Sequence, residues 1–179
     1  MTSVAAVGPG LEDLIDATVP TVADWPEPGV LFRDISPLLA DPAAFGTVAQ
    51  AMADAAGEVD VVLGVEARGF LFGLAVAERL GVGFVPVRKA GKLPGRTESV
   101  SYDLEYGSAT IEVPAGAVTP GQRVAIVDDV LATGGTLAAA VELARRCGAE
   151  VVGTVVLIEI AALDGRRAFD APCAALRSY

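Results

Sequence analysis

The feature that most constrains the fold is a set of short, almost wholly apolar runs that alternate with segments of helical spacing. The runs cover residues 59–65, 82–87, 124–127 and 151–160, and the helical segments that separate them include 70–80 and 135–147. Strands this apolar are buried on both faces. The alternation therefore predicts an α/β fold, with a mostly parallel central sheet and helices on both faces. In such sheets, ligands bind beyond the carboxyl ends of the strands.

Local signals outside these runs complete the predicted elements. Residues 11–19 have the spacing of a short amphipathic helix, and two prolines make 24–29 a loop. Asp41 followed by Pro42 is typical of a helix start, and the helix is predicted to end near Ala56, before Gly57. We expect a long mobile excursion over 90–106, followed by an edge strand or one half of a hairpin at 108–113.

Composition limits the functions open to the chain. Its 179 residues are enough for one domain with a real core, and its formal net charge is -10. A nucleic-acid surface needs a positive stripe, so this class of partner is not expected. No apolar stretch is long enough to cross a bilayer, and the first ten residues lack a secretory signal, so we expect a cytoplasmic protein. Histidine is absent, which leaves carboxylates, cations, hydroxyls and backbone groups for any chemistry.

The lysines are concentrated in one place. The chain contains only Lys89 and Lys92, with Arg88 and Arg96 close by in the sequence. Such a cluster could form a cationic pocket for a small anionic ligand, or it could be a solvated surface. Composition alone leaves both interpretations open.

The most specific segment is 124–136, where a buried strand leads into two acids, a loop of small residues and a helix. The loop and the start of the helix would offer backbone amides and positive dipole to a phosphate. The adjacent Asp128 and Asp129 would repel phosphate, so they are predicted to accept hydrogen bonds from sugar hydroxyls. The predicted phosphate-binding residues are Ala132, Thr133, Gly134, Gly135 and Thr136. Taken singly, Asp129 or Thr133 could equally be a turn or cap residue.

A second segment, 66–69, follows the run at 59–65 and is predicted to lie at the same edge of the sheet. Arg68, followed by glycine and a helix, could offer side-chain and backbone donors to a diphosphate. An arginine at a strand end is, however, usually only solvated.

These segments carry a family resemblance. Residues 124–136 resemble the phosphoribosyl-pyrophosphate signature of the type I phosphoribosyltransferases, and 28–39 and 92–107 resemble the adenine phosphoribosyltransferases among them. The match runs nearly continuously from Trp25 to about Glu159. It implies the type I fold in a single domain over 1–179, with a base-recognition hood at about 1–40, a core at about 41–165 and a flexible catalytic loop. It also implies a reaction of adenine with 5-phosphoribosyl 1-pyrophosphate that yields AMP and pyrophosphate.

The resemblance assigns substrate contacts to individual residues. It implies that Phe32 stacks on the purine, that backbone groups of Leu31 and Arg33 read its edge, and that Val130 packs on its other side. Without its neighbours in the motif, Phe32 could be an ordinary core aromatic. The resemblance also implies a pyrophosphate loop with a cis peptide between two further substrate-binding residues, Glu66 and Ala67. The other substrate-binding predictions are Arg88 and Lys89.

The implied catalytic residues are Arg68, Lys92, Glu105 and Tyr106. Arg68, with Lys89 or Lys92, would stabilise the departing pyrophosphate together with Mg²⁺, which is expected to be held mainly by the substrate without direct side-chain ligands. Glu105 is the candidate for handling the purine proton, although it could be a surface acid of a hairpin. We expect the loop 92–106 to close over the site. The family also implies a homodimer.

Two alternatives remain at this stage. One is a related phosphoribosyltransferase that uses hypoxanthine, guanine, xanthine or orotate. The other is a regulator that binds phosphoribosyl pyrophosphate without catalysis, although this acidic chain has no basic patch for DNA.

Overall fold

The computed structural model describes residues 9–103 and 107–179. Its N-terminal part contains helix α1 (Pro9–Thr18), strands β1 (Thr21–Ala23) and β2 (Leu31–Arg33), and the short helix α2 (Ser36–Ala40). β1 and β2 form a separate antiparallel pair with Val22 opposite Phe32. Helix α1 confirms the predicted amphipathic helix, whereas the strand pair and α2 were not predicted. Three-residue strands and a one-turn helix are too short to leave a periodic pattern in the sequence.

Helix α3 (Pro42–Ala56) begins and ends where the sequence predicted. The carboxylate of Asp41 accepts hydrogen bonds from the backbone N–H groups of Ala43 and Ala44, at 2.9 and 3.1 Å. Gly57 follows the last residue with a positive φ of 67°. The cap satisfies two amides that have no partner within the helix.

The remaining elements build one seven-stranded sheet. In chain order they are β3 (Val61–Val65), α4 (Gly69–Leu80), β4 (Gly83–Lys89), β5 (Thr97–Asp103), β6 (Ser108–Pro114), β7 (Arg123–Leu131), α5 (Gly135–Arg146), β8 (Glu150–Glu159) and β9 (Cys173–Ser178). The strand order is β5-β6-β4-β3-β7-β8-β9. The five strands from β4 to β9 in this order run parallel, and the antiparallel β5-β6 hairpin extends the β4 edge. The predicted mostly parallel sheet is confirmed.

Two sequence predictions about this sheet were wrong. Residues 97–103, expected within a mobile excursion, form β5 and pair with β6 along their whole length. Its alternation is weak because only Val100 and Tyr102 are large apolar or aromatic residues, and pairing with β6 decides the conformation. The strand at 150–159 is also not the last one, since β9 follows and lies parallel to it. The small residues of β9 give little β-propensity by themselves.

The core has one layer on each face of the sheet. One layer packs α5 against the sheet and includes Leu137 and Leu143. The other packs α1, α3 and α4 and includes Ile15, Met52 and Phe72. This confirms helices on both faces. Within the described ranges, no helix combines the length and the apolar character needed to cross a membrane.

Candidate active site

The carboxyl ends of three adjacent parallel strands bring the predicted site segments together. β3 lies between β4 and β7, with Val65 paired to Val87 on one side and Gly64 paired to Val127 on the other. The loops that follow β3 and β4 and the last residues of β7 therefore lie at the same edge of the sheet. This edge is where a parallel sheet of this kind binds ligands.

The loop after β3 is tied to the end of β4. The peptide between Glu66 and Ala67 is cis, as the family resemblance implied. The Glu66 carboxylate accepts hydrogen bonds from the Lys89 N–H at 2.9 Å and from Nε of Arg88 at 3.3 Å. Burial acts to raise the pKa of Glu66, but the hydrogen bonds from Lys89 and Arg88 outweigh it and hold the pKa below its ordinary value. The negatively charged Glu66 thus links the loop after β3 to the end of β4.

In the predicted cationic cluster, Arg88 is bound to other residues, whereas Lys89, Lys92 and Arg96 are exposed. Arg88 is half-buried, and besides Glu66 it donates from a terminal nitrogen to the Lys92 carbonyl at 3.0 Å. The side chains of Lys89 and Lys92 are exposed at the same edge of the sheet, and neither forms an ion pair with a described residue. The two lysines, together with the exposed Arg96, are therefore the members of the cluster that are available to an anion.

Arg68 connects three predicted parts of the site. Its Nε lies 2.8 Å from Oδ2 of Asp129, and its guanidinium carbon lies 5.2 Å from the centre of the Phe32 ring. Asp129 is only 5 % exposed, and its Oδ2 is buried without accepting a hydrogen bond from the described residues. The contact with Arg68 is therefore an ion pair that lacks hydrogen-bond geometry.

Asp128 sits against the start of α4. Its Oδ1 accepts a hydrogen bond from the N–H of Asp129 at 2.8 Å, and a β-carbon on Gly69 would lie 2.7 Å from the same oxygen. Only glycine at position 69 allows this approach. Burial, and then the adjacent Asp129 charge, raise the pKa of Asp128 well above its ordinary value. Burial also raises the pKa of Asp129, which Arg68 opposes. The pair thus includes one buried acceptor, Oδ2 of Asp129, that no described residue satisfies, and it is suited to accept a hydrogen bond from a ligand.

The loop between β7 and α5 forms a small concave pocket. The pocket has a volume of about 80 Å³ and is lined by Asp128 and residues 130–137. Gly134 has a positive φ of 84° and precedes α5 without a side-chain cap. Backbone N–H groups in the first turn of α5 are therefore free of side-chain partners among the described residues, as an anion site at a helix N-terminus requires. The five predicted phosphate-binding residues, 132–136, all line this pocket.

A C-terminal segment that the sequence did not point to packs behind this loop. After β8, two short 3₁₀ turns, Ala161–Leu163 and Gly165–Ala168, fold back over it. A β-carbon on the buried Gly165 would lie 2.1 Å from the Ala132 carbonyl oxygen. Arg166 holds the segment through two 2.7 Å hydrogen bonds to the Glu159 carboxylate. No local pattern in the sequence indicates that this segment shapes the phosphate loop.

Tyr102 is a second contact that sequence reasoning missed. Its hydroxyl lies 3.2 Å from the hydroxyl of Thr136, at the start of α5. The residue belongs to β5, which was expected to be mobile, and a tyrosine within that segment was the only available signal. The structure thus places a hydroxyl of the hairpin beside the predicted phosphate pocket.

The predicted base-binding strand lies next to Arg68. Phe32 is half-buried, and its ring centre lies 4.4 Å from that of Trp25 in an edge-to-face arrangement. The Leu31 side chain is 63 % exposed, and the Arg33 guanidinium stacks 3.4 Å from the centre of the Tyr179 ring. The side chains of Phe32 and Arg33 thus contact other parts of the protein, and β1 pairs with one backbone edge of β2, which leaves the other edge for a base. Val130, half-buried on β7, packs against the core.

Two predicted catalytic residues, Glu105 and Tyr106, lie outside the described residues. A larger cavity of about 640 Å³ lies at the opposite edge of the sheet, beside Gly57, Arg123 and Glu150. None of the predicted site residues lines it. Convergent polar groups identify a site better than volume does, so the carboxyl edge of the sheet is the candidate active site.

Comparison with known proteins identifies the family. Residues 38–175 match the family model of the phosphoribosyl transferase domain. The chain is 59 % identical over 159 residues to the adenine phosphoribosyltransferase of Streptomyces coelicolor, covering 88 % of this chain and 87 % of the relative. It is 54 % identical over 175 residues to that of Frankia alni, covering 93 % of both chains.

Solved structures show the same fold. Adenine phosphoribosyltransferase from Rhodothermus marinus superposes with a TM-score of 0.90 at 42 % identity, covering 96 % of this chain and all of that one. The Saccharomyces cerevisiae protein, solved with an imino-altritol bisphosphate and adenine, has a TM-score of 0.86 at 38 % identity, covering 93 % and 98 % of the two chains. The chain belongs to the phosphoribosyltransferase family and, within it, to the adenine phosphoribosyltransferases.

Proposed function

We propose that this protein transfers the phosphoribosyl group of 5-phosphoribosyl 1-pyrophosphate to adenine, forming AMP and releasing pyrophosphate. The observation that carries the proposal is the position of Arg68, which contacts both the Asp129 carboxylate and the Phe32 ring. A sugar-binding acid, a diphosphate-binding cation and a base-stacking aromatic therefore meet around one side chain. These three groups correspond to the ribose, the diphosphate and the base, which have to meet at the anomeric carbon for the transfer to occur.

The donor is held at both ends. The backbone amides of 132–136 bind its 5-phosphate, since these residues line the pocket at the start of α5 and a helix N-terminus favours an anion. Asp128 and Asp129 accept hydrogen bonds from the ribose hydroxyls. Arg68, with Lys89 and Lys92 at the neighbouring strand end, faces the diphosphate. This arrangement orients the anomeric carbon toward the base-binding strand.

In the reaction, the bond from the anomeric carbon to the diphosphate oxygen breaks, and its electron pair leaves with pyrophosphate. A ring nitrogen of adenine forms the new bond to that carbon and loses its proton. Positive charge develops on the ribose, close to the two aspartates, and negative charge develops on the departing group, close to Arg68. Groups already placed where charge develops lower the barrier without reorganising.

The residues present fit Mg²⁺. Asp128 and Asp129 supply hard oxygen atoms, the kind of ligand that Mg²⁺ prefers, and Oδ2 of Asp129 accepts no hydrogen bond from the described residues. Among residues 9–103 and 107–179, no cluster of three or more acidic, histidine or cysteine side chains could hold a metal alone. We infer that the ion would be held mainly by substrate oxygens, with these two acids close by, and that it would neutralise charge on the diphosphate.

Adenine is the proposed base because β2 offers its backbone beside Phe32, and backbone donors and acceptors discriminate between purine edges. The yeast relative, solved with adenine, supports this choice. The test follows AMP and pyrophosphate formation with adenine, hypoxanthine, guanine, xanthine and orotate, each with the same donor and Mg²⁺. Product with adenine alone supports the proposal. Product with another base instead would assign the protein to that base. Donor binding without any product would identify a regulator.

Glu105 is proposed to accept the adenine proton, and Tyr106 to act beside it in the closed loop. Glu105→Gln and Glu105→Leu should lower kcat by about 10² to 10⁴, the usual contribution of a general base. The Kd of phosphoribosyl pyrophosphate, measured by calorimetry, should stay within a few-fold of wild type. Unchanged kcat in both variants would remove Glu105 from the mechanism.

We also infer a homodimer. Leu71 and Leu74 lie three residues apart on α4 and are 47 % and 58 % exposed, an apolar pair directly behind the Arg68 loop. Sedimentation of the wild type and of Leu74→Asp tests this assignment, because loss of the dimer only in the variant would support α4 as the contact. A monomeric wild type would reject it. A cytoplasmic location stays a prediction from the sequence.

A further inference from the structure

A buried carboxylate outside the described site holds the beginning of the predicted catalytic loop. Glu112 lies on β6 and is 6 % exposed, between Ile111 and Val113, which are both buried in the core. Within the described ranges, no lysine or arginine forms an ion pair with it. A charge in this position is costly unless hydrogen bonds compensate for it.

The compensation comes from three consecutive amides. Oε1 of Glu112 accepts hydrogen bonds from the backbone N–H groups of Gly91, Lys92 and Leu93, at 3.0, 3.2 and 3.2 Å. Oε2 accepts a hydrogen bond from the hydroxyl of Thr97 at 3.2 Å. Successive N–H groups that converge on one oxygen form an anion-binding concavity, here filled by the protein's own side chain.

The turn is shaped for this contact. Gly91 has a positive φ of 81°, a conformation that a residue with a β-carbon adopts only under strain. On either side of the turn, the Ala90 N–H donates to Thr110 and the Ala115 N–H donates to Arg96, both at 2.9 Å. The sheet therefore holds the two ends of 90–96, while Glu112 holds its middle.

Two residues of the candidate active site, Arg88 and Glu66, hold the same turn from the opposite side. The carbonyl of Lys92 accepts a hydrogen bond from Arg88 at 3.0 Å, and Arg88 also pairs with Glu66 of the pyrophosphate loop at 3.3 Å. Both polar backbone groups of Lys92 are thus engaged, although its side chain is exposed. The exposed Lys92 ammonium group is therefore attached to a backbone that hydrogen bonds hold in place.

We propose that Glu112 is a positioning residue that fixes the backbone of Lys92, so that the Lys92 ammonium group faces the diphosphate of the bound donor. The proposal rests on the proposed function, in which Lys92 binds that diphosphate. Glu112 touches no substrate and acts only through the turn at 91–93. No signal in the sequence separates it from the other acids of the hairpin.

The test compares Glu112→Ala and Glu112→Gln with Glu98→Gln. Glu98 lies on the adjacent strand β5 with an exposed side chain, so it is a matched control. Glutamine keeps one carbonyl oxygen for the amides and should rescue most of the effect, and it also serves if the alanine variant fails to fold. Hydrogen exchange of the ligand-free protein reports directly on the amides of 91–93. We expect exchange there to rise about tenfold or more in Glu112→Ala and to stay unchanged in the control.

Binding tests the positioning role. The Kd of phosphoribosyl pyrophosphate with Mg²⁺ should rise about tenfold in Glu112→Ala, with a smaller change in the KM for adenine. In combination with Lys92→Ala, the two losses should be far from additive, because both remove the same contact. Unchanged exchange would overturn the hydrogen-bonding role, and additive losses would overturn the action through Lys92. If the wild type made no AMP, the proposed function would fail, whereas exchange and donor binding would still decide the role of Glu112.

Discussion

The contact between Gly165 and the phosphate loop makes a quantitative prediction. A β-carbon at Gly165 would lie 2.1 Å from the Ala132 oxygen, 2.8 Å from a methyl carbon of Leu131 and 3.0 Å from the Gly134 nitrogen. Ordinary van der Waals contact begins at 3.4 Å, so the Gly165→Ala substitution has to increase the distance to the Ala132 oxygen by about 1.3 Å. Two of the three atoms are backbone atoms of the loop and cannot rotate away. The phosphate loop must therefore move.

The expected effect follows from that displacement. A misplacement of about 1 Å in a positioning group can cost roughly 10²-fold in rate. We expect kcat/KM for phosphoribosyl pyrophosphate to fall by about that factor. The free energy of unfolding should also fall by roughly 1–3 kcal/mol, the usual cost of overpacking a filled site.

The assay is steady-state AMP formation with the donor varied at saturating adenine, together with urea unfolding. Gly46→Ala is the matched control, because its β-carbon would meet only the end of Arg79 at 3.8 Å and it lies within α3. This control should keep full activity and gain roughly 0.5–1 kcal/mol of stability. Gly165→Ala with kcat/KM within about threefold of wild type would refute the reasoning.

Substitutions at three further residues give separate tests. Since the folded-state pKa of Asp128 is raised, the folded protein binds more protons between the ordinary and the raised value, and stability falls as the pH rises through that window. At pH values above this window, Asp128→Asn should therefore have a higher Tm than the wild type, and the difference should shrink as the pH falls toward the ordinary aspartate pKa. Activity should be lost. A lower Tm for the variant at pH 8 would contradict this. Tyr102→Phe removes the hydroxyl beside Thr136 and should raise the KM of the donor a few-fold without changing that of adenine. Tyr179→Leu removes the ring under Arg33 and should raise the KM of adenine about tenfold, whereas Tyr179→Phe keeps the stack and should change it little; equal effects would place the role in the hydroxyl.

Much of the site was predictable because it is contiguous in the sequence. Residues 128–136 combine a strand end, two acids, a loop and a helix start within one segment, and the structure places them together without rearrangement. Arg68 was predictable as a donor at a strand end. Its simultaneous contacts with Asp129 and Phe32 were not, because these residues lie far apart in the chain and meet only once the strand order is known.

The sequence by itself determined the class of fold and the chemistry of the edge, because apolar runs, capping residues and the acid-loop-helix order act over a few neighbouring residues. Only the tertiary structure decided how that edge is held. Gly165 meets Ala132, Glu112 meets the turn at 91–93, and Tyr179 meets Arg33 through contacts that span tens of residues or more. Such contacts depend on sheet order and packing distance, and no local pattern encodes either of them.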